Sequence, residues 1–248
     1  AALFVFFAVG IIMPIVILVM ESFMLKEGIY SLDNFTLHYW IGESNPQIME
    51  GLPGIFKNDE FINSLFNSLR LTLVNGVFGT IFGQLLGYIT AKGRGRLHGK
   101  LVEQLVFIPY LIPSVAFGGI YLSMFSQPQQ IFGVTLVPAL YGTFALLTLV
   151  SVVKHLPFAA RAGTSNMLQI SGELEEAATI EGAGFFRRFV KIVFPLSKGG
   201  FISGFMLIFV SIMKELDLII LIMTPTTSTL PYLAFRYQNG NSPQASDC

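Results

Sequence analysis

Long apolar runs separated by short polar segments set the pattern of this chain. A helix that crosses a bilayer needs about 20 mainly apolar residues, and five stretches meet that length, roughly 1–25, 63–91, 101–125, 134–153 and 199–223. They predict an all-α integral membrane protein, a bundle of five visible transmembrane helices. The first run begins without Met, has no charged segment before it and is too long for a signal-peptide core. It reads as a transmembrane helix whose beginning is missing. The second carries Arg70 near one end, where a long side chain can snorkel to the interface. Its Gly76, Gly79, Gly83 and Gly87 recur at helical steps and form a strip that a neighbouring helix can approach closely. That strip reads as a packing face first and a pathway wall second. In the third run Pro109 and Pro113 each remove a backbone donor and predict kinks.

Composition narrows the class. The chain is 53% hydrophobic and 12% charged, with a mean hydropathy of +0.66, whereas soluble domains carry about 25% charged residues. Residues 1–248 are therefore expected to be one transmembrane domain. A net charge of zero argues against nucleic acid as a partner, and the single Cys248 excludes an internal disulfide.

The loops give an orientation. Segment 92–100 has four firm positive charges and no acid, so the positive-inside rule places it in the cytoplasm. Counting spans puts 154–198 on the same side, with Lys154, Arg161, Arg187, Arg188, Lys191 and Lys198. Segment 26–60 then lies outside. It carries Lys26 and Lys57 against Glu27, Asp33, Glu43, Glu50, Asp59 and Glu60, and its Tyr39, Trp40, Ile41, Ile55 and Phe56 predict short amphipathic pieces at the membrane surface.

Within 154–198, residues 176–195 read EAATIEGAGFFRRFVKIVFP. Ser171 can cap a helix beginning near Gly172, whose first turns hold Glu173, Glu175 and Glu176 at the end that favours carboxylates. Gly182 and Gly184 interrupt it. A second helical stretch follows, with Arg187 and Lys191 on one face. Pro195 stands where the next transmembrane helix is expected to open. The prediction is a helix–turn–helix parallel to the membrane, acidic in its first half and basic in its second.

This segment closely resembles the cytoplasmic loop of importer-type ABC transporter permeases. The match runs through Glu176, Ala177, Ala178, Gly182, Ile192 and Pro195, with Phe194 where that family usually has Leu. The resemblance implies a cytoplasmic coupling helix that inserts into a groove of an ATP-binding subunit, with Glu176 anchoring the contact and Gly182 forming the turn. It implies six helices in the intact core, the last after residue 248. It also implies a multi-pass protein of a bacterial or archaeal inner membrane. Its partners would be two ATP-binding subunits, a second permease (identical or homologous), an extracytoplasmic solute-binding protein and membrane lipid. ATP and Mg would sit on the partner ATPase, and no cofactor on this chain, which has no Gly-x-x-x-x-Gly-Lys-Ser/Thr loop.

Ionisable residues inside a span usually mark a site, a pathway or a contact, and the fifth run contains Lys214, Glu215 and Asp217. At about 1.5 Å per residue from Phe201, Lys214 lies roughly 20 Å in. Lys214 and Asp217 are spaced to meet on one face, which would leave Glu215 as a free pathway carboxylate. Such a carboxylate suits a cation, and Met213-Lys-Glu-Leu is similar to the ferric-iron branch of the family, which has Pro where Asp217 stands. Residues 217–224 lean instead toward the sugar and polyamine branches. A structural pair near the outer interface is the competing reading. An ATP-independent secondary transporter would need no docking loop and commonly shows two similar halves. A membrane enzyme finds no support in His38, His98 and His155, which are scattered; the last two read as interfacial loop residues.

Overall fold

The computed structural model describes residues 2–26, 28–48, 51–131, 134–240 and 243–248; Glu27 and Glu50 of the outer segment lie outside them. Two compact units emerge, Ala1–Ser68 with Ser228–Cys248, and Leu69–Thr227.

In the first unit, helix α1 (Val5–Glu21) leaves Val5, Phe6, Ile12, Ile15 and Val19 exposed, as a helix facing lipid does. The segment after it folds into short pieces, as its aromatic content predicted. Asn34 fixes one turn through the carbonyls of Lys26 and Ile29, at 2.7 and 2.8 Å. Trp40, on helix α2 (His38–Ile41), packs between Phe23 and Phe56 at 5.5 and 5.8 Å. Outside any span, the Lys57 ammonium beside Glu43 holds that carboxyl below its ordinary range.

Helix α3 (Asp59–Lys92) is inside out relative to a soluble helix. Ser64, Ser68, Thr72, Asn75, Thr80 and Gln84 follow one another at three- to five-residue steps and are all buried, while Leu73, Val77, Phe78, Ile81 and Phe82 are exposed. In lipid the apolar face needs no cover, and polar side chains turn inward, where Asn75 and Thr80 find partners and the Gln84 amide has none among the described residues. Asn75 donates to the Leu71 carbonyl at 2.6 Å, and Thr80 to that of Gly76 at 2.5 Å.

The second unit gathers its core from Leu71, Phe117, Leu146, Val150, Ile208, Ile212 and Leu218. Helix α4 (Leu97–Leu111) and helix α5 (Ser114–Phe125) meet at 97°, so the third apolar run is a broken pair and not one kinked span. The break falls at Pro113, whereas Pro109 stays inside α4. A hairpin follows, β1 (Gln129–Ile131) antiparallel to β2 (Val134–Val137). The span expected over 134–153 is thereby displaced: helix α6 runs Phe144–Met167, its first turn capped by Thr143 Oγ1, which accepts from the Leu146 amide at 3.3 Å. Lys154, His155 and Arg161 lie within α6, not in a loop, because each finds a partner in the fold.

Beyond α6 come helix α7 (Gly172–Ile180) and helix α8 (Phe185–Leu196), the latter bent by 77° from helix α9 (Lys198–Met213). Pro195 therefore sits in the last turn before that bend and does not open the spanning helix. Among the described residues α3 and α6 are long and apolar enough to cross a membrane alone, and each bent pair adds one more span if it counts as one. Helix α10 (Leu230–Asn239) and helix α11 (Pro243–Asp247) return to the first unit, where Leu233, Tyr237 and Ala245 pack with Tyr39.

The glycine strip of α3 is a packing face. A Cβ at Gly83 would overlap Ala159, one at Gly87 would lie 2.5 Å from the Gly163 backbone of α6, and one at Gly76 2.6 Å from the Phe205 ring of α9. Small residues on both helices let the backbones touch.

Candidate functional site: the coupling segment and the buried charges

Between α6 and α9 the chain forms the capped helix, glycine turn and second helix that its sequence predicts. Ser171 caps α7, its Oγ accepting from the Glu173 amide at 3.3 Å. Gly182 ends the turn in the left-handed region with φ 81°, a conformation that glycine adopts without cost. Glu176 and Ala177 are exposed, and so are Leu174, Ile180 at 87% and Phe186 at 80%. Ala178 and Ile192 are half-buried, and Gly182 and Pro195 are exposed. The segment thus presents a carboxylate, small side chains and apolar tips on one short helix and turn.

Glu175, one residue before the motif, behaves differently. It is buried at 7% exposure, and both oxygens are engaged. Lys92 Nζ, on the last residue of α3, lies 2.6 Å from Oε1, and the Tyr88 hydroxyl donates to Oε2 at 2.6 Å. The Tyr88 ring meets Phe185 and Phe189 of α8 edge-on at 5.7 and 5.8 Å, and Arg188 donates to Thr179 Oγ1. Spacing along the helix could not separate Glu175 from its two acidic neighbours; only the end of α3 does.

The second set of charges departs from expectation. Helix α9 stops at Met213, and Lys214, Glu215 and Asp217 lie in the turns beyond it. The stop has a local cause: the amide of Leu218, which would continue the helix by bonding to Lys214, donates instead to Glu215 Oε1 at 3.1 Å. Lys214 and Asp217 are exposed and no ion pair joins them among the described residues, so the pairing read from their spacing does not form. Glu215 is the paired residue. Its Oε2 faces His155 Nε2 at 3.4 Å. His155 Nδ1 lies 2.9 Å from the Ser151 carbonyl. A carbonyl only accepts, so Nδ1 is the donor in this contact.

Lys154 turns to the neighbouring break. The Pro109 carbonyl would accept from residue 113 in a continuous helix, but Pro113 has no N–H. Lys154 Nζ donates there at 3.0 Å and to the Ile112 carbonyl, with its third face toward the Phe117 ring at 5.3 Å. Consecutive residues of α6 thus hold two broken helix ends. His155 and Lys154 were missed as site residues because hydropathy treats any lysine or histidine as the edge of a span.

A cavity of about 840 Å³ opens between the end of α3, α4 and α6, lined by Thr90, Glu103, Gln104, Arg161, Thr164 and Ser165 with Leu111 and Pro157 among its apolar walls. The Arg161 guanidinium lies over the Phe107 ring at 4.6 Å, which accounts for a charge inside α6.

Comparison with known proteins gives the family and the fold. The description "binding-protein-dependent transport system inner membrane component" matches residues 83–245. The sulfate transport system permease protein CysT of Synechocystis is 26% identical over 175 residues, 68% of this chain and 57% of that protein. The trehalose transport system permease protein SugB of Mycobacterium tuberculosis is 26% identical over 178 residues, 71% of this chain and 60% of that one. The chain thus spans less than two thirds of the length of these relatives. A bacterial alginate ABC transporter, solved in complex with an alginate pentasaccharide-bound periplasmic protein, has a similar fold (TM-score 0.71, 16% identity, 99% of this chain and 83% of that one). On the family match across most of its length, this chain belongs to the inner membrane components of binding-protein-dependent transport systems.

Proposed function

We propose that this chain is the membrane-spanning permease subunit of an ATP-driven importer. It works with ATP-binding subunits, a second permease and a solute-binding protein on other chains. The observation that carries this reading is the α7–turn–α8 segment. It is capped, turned at Gly182, held from behind through Glu175, and bare on the side that bears Glu176, Ala177 and Ile180. A short rigid helix with an exposed carboxylate and small side chains suits a groove on a partner. ATP binding would draw two such segments together and open the pathway outward, and hydrolysis belongs to the partner subunit.

The cavity lined by Glu103, Gln104 and Arg161 is the proposed wall of the pathway, with Lys214, Glu215 and Asp217 as more remote candidates. Ferric iron or another cation has two grounds in the sequence, a free Glu215 carboxylate and the likeness of Met213-Lys-Glu-Leu to the ferric-iron branch. With both Glu215 oxygens engaged the first ground is gone, and relatives named for sulfate, trehalose and ferric transport match over similar shares of the chain.

The test is purification from the native membrane in mild detergent with mass spectrometry of what comes along. An ATP-binding subunit in near-stoichiometric amount is expected. Glu176→Arg should leave insertion intact and abolish ATP-driven uptake. A chain that runs alone even after cross-linking would overturn the proposal.

A further inference from the structure

We propose that Glu175, Lys92 and Tyr88 are positioning residues for coupling: a clamp through which movement of α7 is passed to α3. This rests on the permease reading above and assigns a route within it. Both covalent routes out of α7 are jointed. Toward α6 the chain runs through non-helical turns up to Ser171; toward α9 it passes the Gly182 turn and then the 77° bend at Ser197. A jointed connection transmits force poorly. The clamp bypasses both joints, since it ties the first turns of α7 directly to the last turn of a 34-residue helix.

Its chemistry suits a stiff connection. A carboxylate bound at both oxygens by two side chains on one helix face has little freedom to slide, and burial at 7% exposure strengthens each contact. The charges also sit where helix dipoles favour them, Glu175 near the start of α7 and Lys92 at the end of α3. Tyr88 adds a hold on the second half of the segment through Phe185 and Phe189, so α7 and α8 are gripped together. The same end of α3 has the means to pass the movement on. Gly83 and Gly87 touch α6 backbone to backbone, and Thr90 lines the cavity. A shift of α3 along α6 would change that cavity directly.

The experiment uses the whole complex in lipid nanodiscs, in a Cys248→Ser background with Thr90→Cys as reporter. A membrane-impermeant maleimide is reacted without nucleotide and with Mg-ATP plus vanadate. With the clamp intact the labelling rate should change by about fivefold or more, the low end of ordinary coupling, and in Glu175→Gln, Lys92→Met and Tyr88→Phe the change should fall below about twofold. ATPase binding and ATP hydrolysis should persist in these variants. The charge-swapped pair Glu175→Lys with Lys92→Glu should recover part of the response, which a purely structural contact would not require. Unchanged nucleotide sensitivity in all three variants, with the ATPase bound and active, would overturn the clamp and leave the permease reading standing. Loss of the ATPase from all three, including the single-hydroxyl Tyr88→Phe change, would make the trio an assembly element and overturn the transmission role. No ATPase on the unaltered chain would overturn both readings.

Discussion

Replacing Lys154 by Met removes the donor that holds the break between α4 and α5. Met nearly matches the volume of the aliphatic stem, so packing changes little while both hydrogen bonds, to the Pro109 carbonyl at 3.0 Å and to the Ile112 carbonyl, disappear. Neither carbonyl has an obvious substitute. Pro113 supplies no N–H, and Lys154 itself is only 6% exposed, which keeps water from its place. An unsatisfied buried carbonyl costs about 1–3 kcal/mol, so two cost about 2–6. Removing a buried ammonium offsets part of this, and polar contacts inside membranes average only about 0.6 kcal/mol because the unfolded chain finds partners too. The expected net loss is about 2–4 kcal/mol. Reversible unfolding in mixed micelles titrated with SDS, followed by circular dichroism, measures it. Pro113→Ala makes the test specific, since an alanine N–H at that position can serve the Pro109 carbonyl. Lys154→Met should therefore cost less in the Pro113→Ala background, by about 1 kcal/mol, a coupling read from the double-mutant cycle. A loss below about 0.5 kcal/mol, or an equal loss in both backgrounds, would refute the argument.

Two further outcomes can be checked with the same unfolding assay. Gly83→Ala and Gly87→Ala should each destabilise by about 1–3 kcal/mol, because the new methyl meets the backbone of α6, whereas Gly119→Ala, with open space around its Cβ, should be neutral or stabilising. Glu215→Leu should cost about 2–4 kcal/mol by stranding His155 and the Leu218 amide, and His155→Phe should be less harmful in that background than alone. Equal costs in both backgrounds would remove the His155–Glu215 contact from the account.

The membrane class, the helix–turn–helix before α9 and most helix positions were legible in the sequence because each depends on local physics. Apolar runs partition into lipid whatever they pack against. Ser171 caps the next turn and Gly182 takes a left-handed turn without help from distant residues. The errors have the opposite origin. A Lys and a His end a span by hydropathy, yet α6 continues through Lys154 and His155 because carbonyls freed at Pro113 and a carboxylate freed at the end of α9 lie beside them. Helical spacing paired Lys214 with Asp217, but the helix had already ended, and the local competitor was the Leu218 amide. Among three acidic residues at the start of α7, the chain order makes Glu173, Glu175 and Glu176 nearly equivalent; the arrival of Tyr88 and Lys92, 87 and 83 residues away in the chain, selects Glu175. The sequence by itself determined which segments leave water and where the capped helix–turn–helix before α9 falls. Only the tertiary structure decided which buried charges are satisfied and by what, since that depends on groups brought together from separate helices.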